Sequence, residues 1–325
     1  MVQGHEIIHL DNPPQSSTDI SKAAFIEANT FPSSLEEIAS KHIIPVFSKD
    51  NESTISQTDF IEVTNQAISD LFNGEKILQP NIRLSHPIKG RIPEAKYKPA
   101  SQLLEWEKTI FFERMAFIIE VSSIYDYIDG NKLTLTIGGV KAYNLDNLSG
   151  KKGNGESFKV FIGFKNKVCT NLCVWSDGYI GDLKVNSVSD LKAGIYQLIN
   201  NYQSVNHLSM MKSLTEYSLT ESQFAKVIGK CRMYQHLPIS AKAEIPTLLI
   251  NDTQINAVCR EYYKDPNFCS SLDGNISLWR LYNLLTGAIK SSYIDNFVDR
   301  SVNAINFTSQ IKSGLDSHSF NWFLN

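Results

Sequence analysis

The sequence lacks any long hydrophobic run. Its longest uninterrupted apolar stretch is about five residues, from Met115 to Ile119, whereas a helix that crosses a bilayer needs about 20. The N-terminal residues MVQGHEIIHLDNPP contain no lysine or arginine and no apolar stretch as long as that of a secretory signal. We therefore predict no transmembrane segment and expect the protein in the cytoplasm.

Cysteine is also scarce. The five cysteines are an odd number in a chain without an export signal, which favours reduced thiols over a disulfide framework. No Cys-x-x-Cys pair occurs. Cys169 and Cys173 fall in a predicted strand, where four residues span about 13 Å and cannot share one ion. We predict no disulfide, no metal site and no cofactor.

The chain has no large excess of charge of either sign. It contains 31 basic and 34 acidic side chains, for a net charge of −3. Their distribution is uneven, since residues 1–80 hold 4 basic and 12 acidic residues while residues 81–240 hold 20 and 14. Such a pattern is typical of a protein with one surface facing an anion, and it is also common in proteins that bind nothing charged.

The first 80 residues predict an acidic, weakly anchored helical arm. Two polar stretches, 11–19 and 48–59, are rich in turn residues. The segments beside them have helical periodicity, and we predict helices at about 20–29, 34–42 and 59–72. Four prolines then follow between residues 80 and 99, which requires extended or looped chain there.

A period of two begins near residue 110 and predicts an antiparallel, twisted sheet over about 110–185. An Asp-Gly pair at 129–130 is typical of a hairpin turn. In the segment 158–167, Phe158 and Phe164 share one face with the intervening even-numbered apolar residues, whereas Lys159 and Lys165 share the other. We expect the first face in the core and the second face open to water.

Helical periodicity returns after residue 187 and predicts helices that cover the sheet. The pair Thr220 and Gln223 has the spacing of a capping box, followed by apolar residues at helical intervals. The same pattern recurs after Asp252 and after the Asp-Gly-Asn turn at 273–275, and a last helix is predicted over about 291–315. The fold class is therefore α+β, in three parts: 1–80, 81–186 and 187–325.

Catalytic chemistry has little support. No Gly-x-Ser-x-Gly elbow and no phosphate-binding loop occurs. Asp295 and Asp299 share a helix face and offer a possible Mg²⁺ or acid–base pair, but a solvated or salt-bridged face explains them as well. We assign no catalytic residues and favour a role without catalysis.

Basic residues interleaved with aromatics are the strongest functional signal. Lysines neutralise phosphates and exposed rings stack on bases, so such a surface suits single-stranded nucleic acid. The alternative is that a helix covers Phe161 and the lysines only border a buried sheet. The residues predicted to bind nucleic acid are Lys89, Arg91, Lys96, Lys98, Lys141, Lys151, Lys152, Lys159, Phe161, Lys165 and Lys167.

Five stretches of the chain between residues 85 and 304 resemble a bacterial family known as domain of unknown function 3871. They include SHPIKGRIPEAKYKPA (85–100), VFIGFKNKVCTNLCVWSDG (160–178) and SLWRLYNLLTGAIKSSYIDNFVDRSVNA (277–304). More distantly, Lys167 to Asn171 and Trp279 to Asp295 are similar to segments of the phage- and plasmid-like group called domain of unknown function 932. That resemblance implies a mobile-element protein that acts on DNA or on host defence, and it transfers no catalytic residue.

We therefore predict a nucleic-acid-binding protein, with annealing of single-stranded DNA as its finer form. The order of a hairpin, further strands and a helix is similar to that in the core of single-strand annealing proteins, some of which are phage recombinases, and the likeness is one of element order only. The alternative is a protein-interaction module, an inhibitor or assembly factor acting through Trp279, Tyr282 or Tyr293. A metal-dependent enzyme centred on Asp295 and Asp299 is the third hypothesis.

Overall fold

The structure is a computed structural model of the 325-residue chain. It describes residues 24–28, 30–41, 55–85, 88–91, 98–99, 102–111, 114–142, 155–317 and 320–325. Among these, no helix combines the length and hydropathy that a bilayer crossing requires.

The structure is α+β, and the predicted fold class is confirmed. The strands are β1 Thr30–Ser33, β2 Asn81–Ser85, β3 Ile88–Arg91, β4 Lys108–Phe111, β5 Arg114–Ile128, β6 Asn131–Ala142, β7 Glu156–Asn166, β8 Leu172–Val185, β9 Ser218–Leu219 and β10 Ile276–Ser277. The helices are α1 Leu35–Lys41, α2 Gln57–Leu71, α3 Val188–Asn201, α4 Ser204–Ser213, α5 Glu221–His236, α6 Ile239–Lys242, α7 Asp252–Lys264, α8 Leu278–Ile289 and α9 Ile294–Ser317.

One six-stranded antiparallel sheet organises the fold. Its strand order is β1-β2-β5-β6-β7-β8, and the pairs β3–β4 and β9–β10 form two small separate ladders. The hairpin between β5 and β6 turns at Asp129 and Gly130, both with positive φ (48° and 73°), as a type I′ turn requires. The predicted hairpin turn is thus confirmed.

The sheet is covered on both faces. On one face, which we call the α2 face, the ring of Phe60 in α2 meets Phe117 of β5 at 5.0 Å and Phe158 of β7 at 4.8 Å between centroids. The opposite face, which we call the α9 face, carries Lys159 beneath helix α9. Because both faces are buried, the central strands β6 and β7 have almost no exposed side chain.

The helix boundaries follow the caps. Helix α5 begins after Thr220, whose side chain and that of Gln223 form the predicted capping box. Helix α7 begins with a second box formed by Asn251 and Gln254. In each box the two side chains satisfy backbone N–H groups that the first helical turn leaves without partners.

The N-terminal part follows the prediction in two of its three helices. Helices α1 and α2 lie close to the predicted helices 34–42 and 59–72, whereas residues 24–28 are not helical and β1 pairs with β2 at one edge of the sheet. Phe25, Ile26 and Phe60 are fully buried, so these three side chains belong to the core. The weak anchoring of residues 1–80 stays a prediction. The division into three parts remains a prediction.

A glycine in β6 allows α2 to approach the sheet closely. A Cβ at Gly139 would lie 2.2 Å from Cζ of Phe60 and 3.1 Å from Cε1 of Phe117. No real Cβ tolerates the first of these distances, so only glycine permits the Phe60 ring to lie on the strand at this point.

We predict that Gly139→Ala lowers the free energy of unfolding by about 1–3 kcal/mol, the usual cost of overpacking. The measurement is equilibrium unfolding in urea. The control is Gly229→Ala in α5, where a Cβ meets nothing within 4 Å and alanine is expected to stabilise the helix by up to about 1 kcal/mol. Equal effects at the two glycines would contradict this packing.

Candidate nucleic-acid interface

The lysine face of β7 is buried. Lys159 is 8% exposed, while Lys165 and Phe161 are each 1% exposed. The prediction that this face is open to water is therefore wrong. The alternation was read correctly, since Phe158 and Phe164 do lie in the core, but alternation shows only which residues share a face and not what covers that face.

Helix α9 supplies the partners of Lys159. The Lys159 ammonium group donates to the carboxylate of Asp299 and, at 2.6 Å, to the backbone oxygen of Asp295. The Tyr179 hydroxyl donates to the other oxygen of Asp299 at 2.6 Å. Burial, followed by this contact with Asp299, raises the pKa of Tyr179 far above its ordinary value, so the phenol remains a donor. Lys159 thus fastens α9 to the sheet.

Lys165 and Lys167 share one buried carboxylate. Their ammonium groups lie 2.7 and 3.0 Å from the two oxygens of Glu120 on β5, and the Thr134 hydroxyl donates to the same side chain at 3.0 Å. Burial tends to raise the pKa of Glu120, but the two ammonium groups outweigh it and hold this pKa below its ordinary value. This group of three charges keeps one net positive charge, and the Lys167 side chain is 31% exposed.

Two further predicted residues are structural. Lys141 is fully buried on the α2 face, with its ammonium group 2.7 Å from Glu156 and 4.0 Å from the Phe158 ring centroid. Phe161 lies over Gly138, where a Cβ would come within 2.6 Å of the ring. The prediction that Lys141, Lys159, Phe161 and Lys165 form an accessible surface is therefore wrong, because carboxylates and packing have replaced water around them.

The other predicted cations belong to two connections. Lys98 is paired with Glu107 at 2.8 Å, Lys89 and Arg91 belong to β3, and Lys96, Lys151 and Lys152 lie outside the described residues. The connections join β2 to β5 and β6 to β7, so both are anchored at the end of the sheet where Arg114 pairs with Ala142. The structure thus places the strand ends that carry the two connections at the same end of the sheet. That the cations of these connections contact nucleic acid remains a prediction.

The aspartate pair on α9 is neutralised by cations. Asp295 lies 3.3 Å from Nε of Arg114, while Asp299 is bound to Lys159 and Tyr179. Across the described ranges, no three His, Cys, Asp or Glu side chains converge as metal ligands. The two carboxylates therefore serve to hold α9, and the metal-enzyme hypothesis gains nothing from them.

Two histidines near the N-terminus have the spacing of zinc ligands. Residues 5–9 read His-Glu-Ile-Ile-His, a spacing that binds zinc when it lies on a helix. The prediction of no metal site overlooked this stretch, which is outside the described residues. A match of five residues is a weak signal without its structural context.

Cys169 and Cys173 are not activated as nucleophiles. All five cysteines are free, and Cys169 lies in the turn before β8 rather than in a strand. Burial raises the pKa of Cys169 to about 11 and that of Cys173 to about 12. Both thiols therefore stay protonated near neutral pH, which excludes them as nucleophiles.

The turn between β7 and β8 is hydrogen-bonded to helix α8 and to the residue that follows it. The Asn171 amide donates to the backbone oxygen of Asn283 at 2.8 Å. The ammonium group of Lys290, just after α8, donates to the Thr170 hydroxyl at 2.8 Å, and Thr170 has a positive φ of 59°. The two segments that carry the more distant resemblance, Lys167 to Asn171 and Trp279 to Asp295, are thus in direct contact.

One end of the α9 face remains open to solvent. Tyr125 and Tyr127 of β5 are 50% and 54% exposed, and their ring centroids lie 5.8 Å apart at 87°. Lys132 of β6 pairs with Tyr127 in the ladder and places its ammonium group 3.8 Å from the Tyr125 ring centroid. The backbone N–H of Lys167 donates to the Lys132 oxygen at 2.9 Å. We call Tyr125, Tyr127, Lys132 and Lys167 the open end.

A bulge in β5 precedes the two tyrosines. The register shifts between Val121 and Tyr125, and the Ser123 hydroxyl in the bulge accepts from the backbone N–H of Lys76 at 2.8 Å. Residues 124–128 read Ile-Tyr-Asp-Tyr-Ile, so the two tyrosines alternate with Ile124, Asp126 and Ile128 next to the Asp-Gly turn. That alternation was the signal from which the exposed tyrosines could have been predicted.

We predict that Glu120→Gln lowers the free energy of unfolding at pH 7 by about 3–5 kcal/mol, because Lys165 loses its buried counter-charge. Since the pKa of Glu120 is lowered in the folded protein, its stabilising effect is complete above the unfolded pKa of about 4.3 and is lost as the pH falls through the folded pKa. The difference between wild type and variant in urea unfolding should therefore shrink in acid.

The matched control is Asp252→Asn, which removes the carboxylate of the exposed pair with Arg232. Such a surface pair is worth less than about 1 kcal/mol. An effect of Glu120→Gln no larger than that of the control would show that Lys165 is not buried against Glu120.

Comparison with known proteins gives one match. Residues 12–324 match the family described as "Domain of unknown function, B. Theta Gene description (DUF3871)". No curated protein and no solved structure matches the chain. The resemblance to the phage- and plasmid-like group is not part of this match and stays a prediction. Since the match covers nearly the whole sequence, the chain belongs to the domain of unknown function 3871 family.

Proposed function

We propose that this protein binds single-stranded nucleic acid through the open end of the sheet. The observation that carries the proposal is the pair of exposed rings, Tyr125 and Tyr127, with Lys132 placed directly over one of them. Here two exposed aromatic rings on one strand lie next to a partly exposed cation.

The chemistry of the open end suits unpaired bases. Each nucleic-acid base has a flat π-face that stacks on an aromatic ring, and stacking is worth about 1–3 kcal/mol per base whatever the sequence. Two tyrosines on one strand face offer two such contacts. Bases in a duplex are already stacked on one another, so the rings favour a single strand with splayed bases.

The local charge supports the same ligand. Lys132 lies beside the rings, and Lys167 belongs to a group whose two lysines face a single carboxylate, Glu120. Its net positive charge lies at the partly exposed Lys167 side chain. Ammonium groups next to stacking rings match the alternation of phosphate and base along a single strand.

The strand ends from which the two connections leave are distant from the open end. Strand β6 has 12 residues and therefore spans about 40 Å between the hairpin turn and Ala142. A short oligonucleotide at the open end does not reach that far end of the sheet. If Lys89, Arg91 or Lys98 also bind there, the ligand is a longer strand that follows the sheet.

The finer form of the proposal is annealing of complementary DNA strands on a mobile element. It rests on the order of secondary-structure elements and on the more distant resemblance alone. A surface that binds one strand by stacking, without reading its sequence, is the minimum that such an activity needs.

A protein-interaction module is the second candidate. Of the three rings on which it was based, Trp279 and Tyr282 are fully buried, whereas Tyr293 is 57% exposed. Tyr293 lies beside Arg114, at 5.8 Å between the guanidinium carbon and the ring centroid. This pair of an exposed tyrosine and an arginine supports the protein-interaction module, because both residue types are common in protein interfaces.

We predict that the double variant Tyr125→Ala, Tyr127→Ala binds a single-stranded oligonucleotide of about 12 bases at least about tenfold more weakly than wild type, because two stacking contacts are lost. The measurement is fluorescence anisotropy at low salt. Phe at both positions should keep most of the affinity, since the ring and not the hydroxyl makes the contact. Tyr263→Ala is the matched control, because Tyr263 is also an exposed tyrosine (68%) but lies on α7.

Two further results decide the proposal. Lys132→Ala with Lys167→Ala should reduce the slope of log affinity against log salt by about 1.4, since each phosphate contact on a single strand contributes about 0.7. Failure of the wild-type protein to bind at low salt, or an unchanged affinity in the alanine double variant, overturns the proposal. If the Tyr125 and Tyr127 double variant still binds and only Tyr263→Ala loses binding, the nucleic acid contacts α7 and not the open end.

A further inference from the structure

Strand β8 is an edge of the main sheet. It pairs with β7 on one side, and no strand of the described chain lies on its other side. Helices α3 and α9 pack against β8 from the two faces of the sheet. The backbone groups along the outer edge of Gly181 to Val185 therefore have no ladder partner among the residues that the structure describes.

The side chains on this edge have a symmetric pattern. Asp182 and Lys184 flank Leu183, and their side chains are 58% and 45% exposed. The two side chains point to the same face of the sheet, and Nζ of Lys184 lies 3.3 Å from Oδ2 of Asp182. Leu183 points to the other face, against Gly194 of α3, and is only half-buried.

We propose that two copies of this chain associate by antiparallel pairing of their β8 edges, centred on Leu183. In this register Asp182 of each copy lies opposite Lys184 of the other, and the two Leu183 side chains lie opposite each other. Gly181 then lies opposite Val185. The result is a continuous sheet of twelve strands with a two-fold axis at Leu183.

Charge selects this register from its neighbours. Centring the pair on Asp182 places two aspartates opposite each other, and centring it on Lys184 places two lysines opposite each other. Like charges directly across an antiparallel pair are destabilising, whereas opposite charges and apolar pairs stabilise it. Only the register centred on Leu183 gives two opposite-charge pairs and one apolar pair.

The pattern also identifies the occupant as a second copy. A two-fold interface must be self-complementary: if one residue of the first copy contacts another residue of the second copy, the reverse contact also forms. An acidic and a basic residue placed symmetrically about an apolar residue meet that requirement without any other chain. The alternative is that Lys184 and the bulge in β8, where Gly181 and Asp182 together lie opposite Lys159 of β7, protect the edge from pairing, and the experiment distinguishes the two.

The test is sedimentation velocity over a series of protein concentrations, with charge reversal at the edge. Wild type should shift from monomer to dimer as concentration rises. Asp182→Lys alone and Lys184→Asp alone should each weaken dimerisation at least about tenfold, since each creates like-charge pairs. The double variant should regain wild-type dimerisation, because the swap restores both opposite pairs. Asp252→Lys, at another exposed pair, should leave it unchanged.

A second measurement on the wild-type protein keeps the test decisive if a variant does not fold. The backbone amides of residues 181–185 should exchange with deuterium more slowly at high protein concentration than at low concentration. A monomer at all concentrations up to about 100 µM, or exchange that is independent of concentration, overturns the proposal. A dimer that the double swap does not restore overturns the register. Because the open end lies on β5 and β6, nucleic-acid binding can fail or succeed independently of these results.

Discussion

An ammonium group leaves water at a high cost in free energy unless a carboxylate or several acceptors take the place of the solvent. The fold of this protein depends on meeting that requirement twice on one sheet face. Glu120 of β5 holds Lys165 within the sheet, and Asp299 of α9 holds Lys159 from above. The second contact determines where α9 lies, and the position of α9 decides which part of the face stays exposed.

This arrangement changes the meaning of the charge pattern. The basic strand face becomes an internal layer between the sheet and its helices, as in any sheet covered on both sides. The end of the face beyond α9 stays open, and Tyr125 and Tyr127 are half-exposed there. The same lysine-rich segment is thus buried in ion pairs in its middle, while the side chain of Lys167, just after β7, is partly exposed.

Local features of the fold were predictable from the sequence. The period of two in β5 to β7, the Asp-Gly turn and the capping box at Thr220 each depend on residues close together in the chain. Non-local features were not. Strand β1 is four residues long and pairs with β2 about 50 positions later, and no property of Thr30–Ser33 alone indicates that partner. The cover over Lys159 comes from Asp299, 140 positions away.

The candidate site shows the same limit. Alternation correctly placed Lys159, Phe161 and Lys165 on one face, but their exposure depended on a helix far along the chain. The exposure of the tyrosines in the open end was not predicted, although the turn at 129–130 indicates where β5 leaves the sheet. Composition showed that residues 81–240 carry a net positive charge. It did not show which of their basic side chains are exposed to solvent.

The central claim is that Lys159 and Lys165 are buried in ion pairs beneath the helices. Amine labelling of the native protein, with the extent at each lysine read by mass spectrometry, tests it most directly. We expect Lys159, Lys165 and Lys141 to be protected, while Lys184 and Lys212, whose side chains are 45% and 50% exposed, react readily. Labelling of Lys159 and Lys165 as fast as Lys212 would contradict the account.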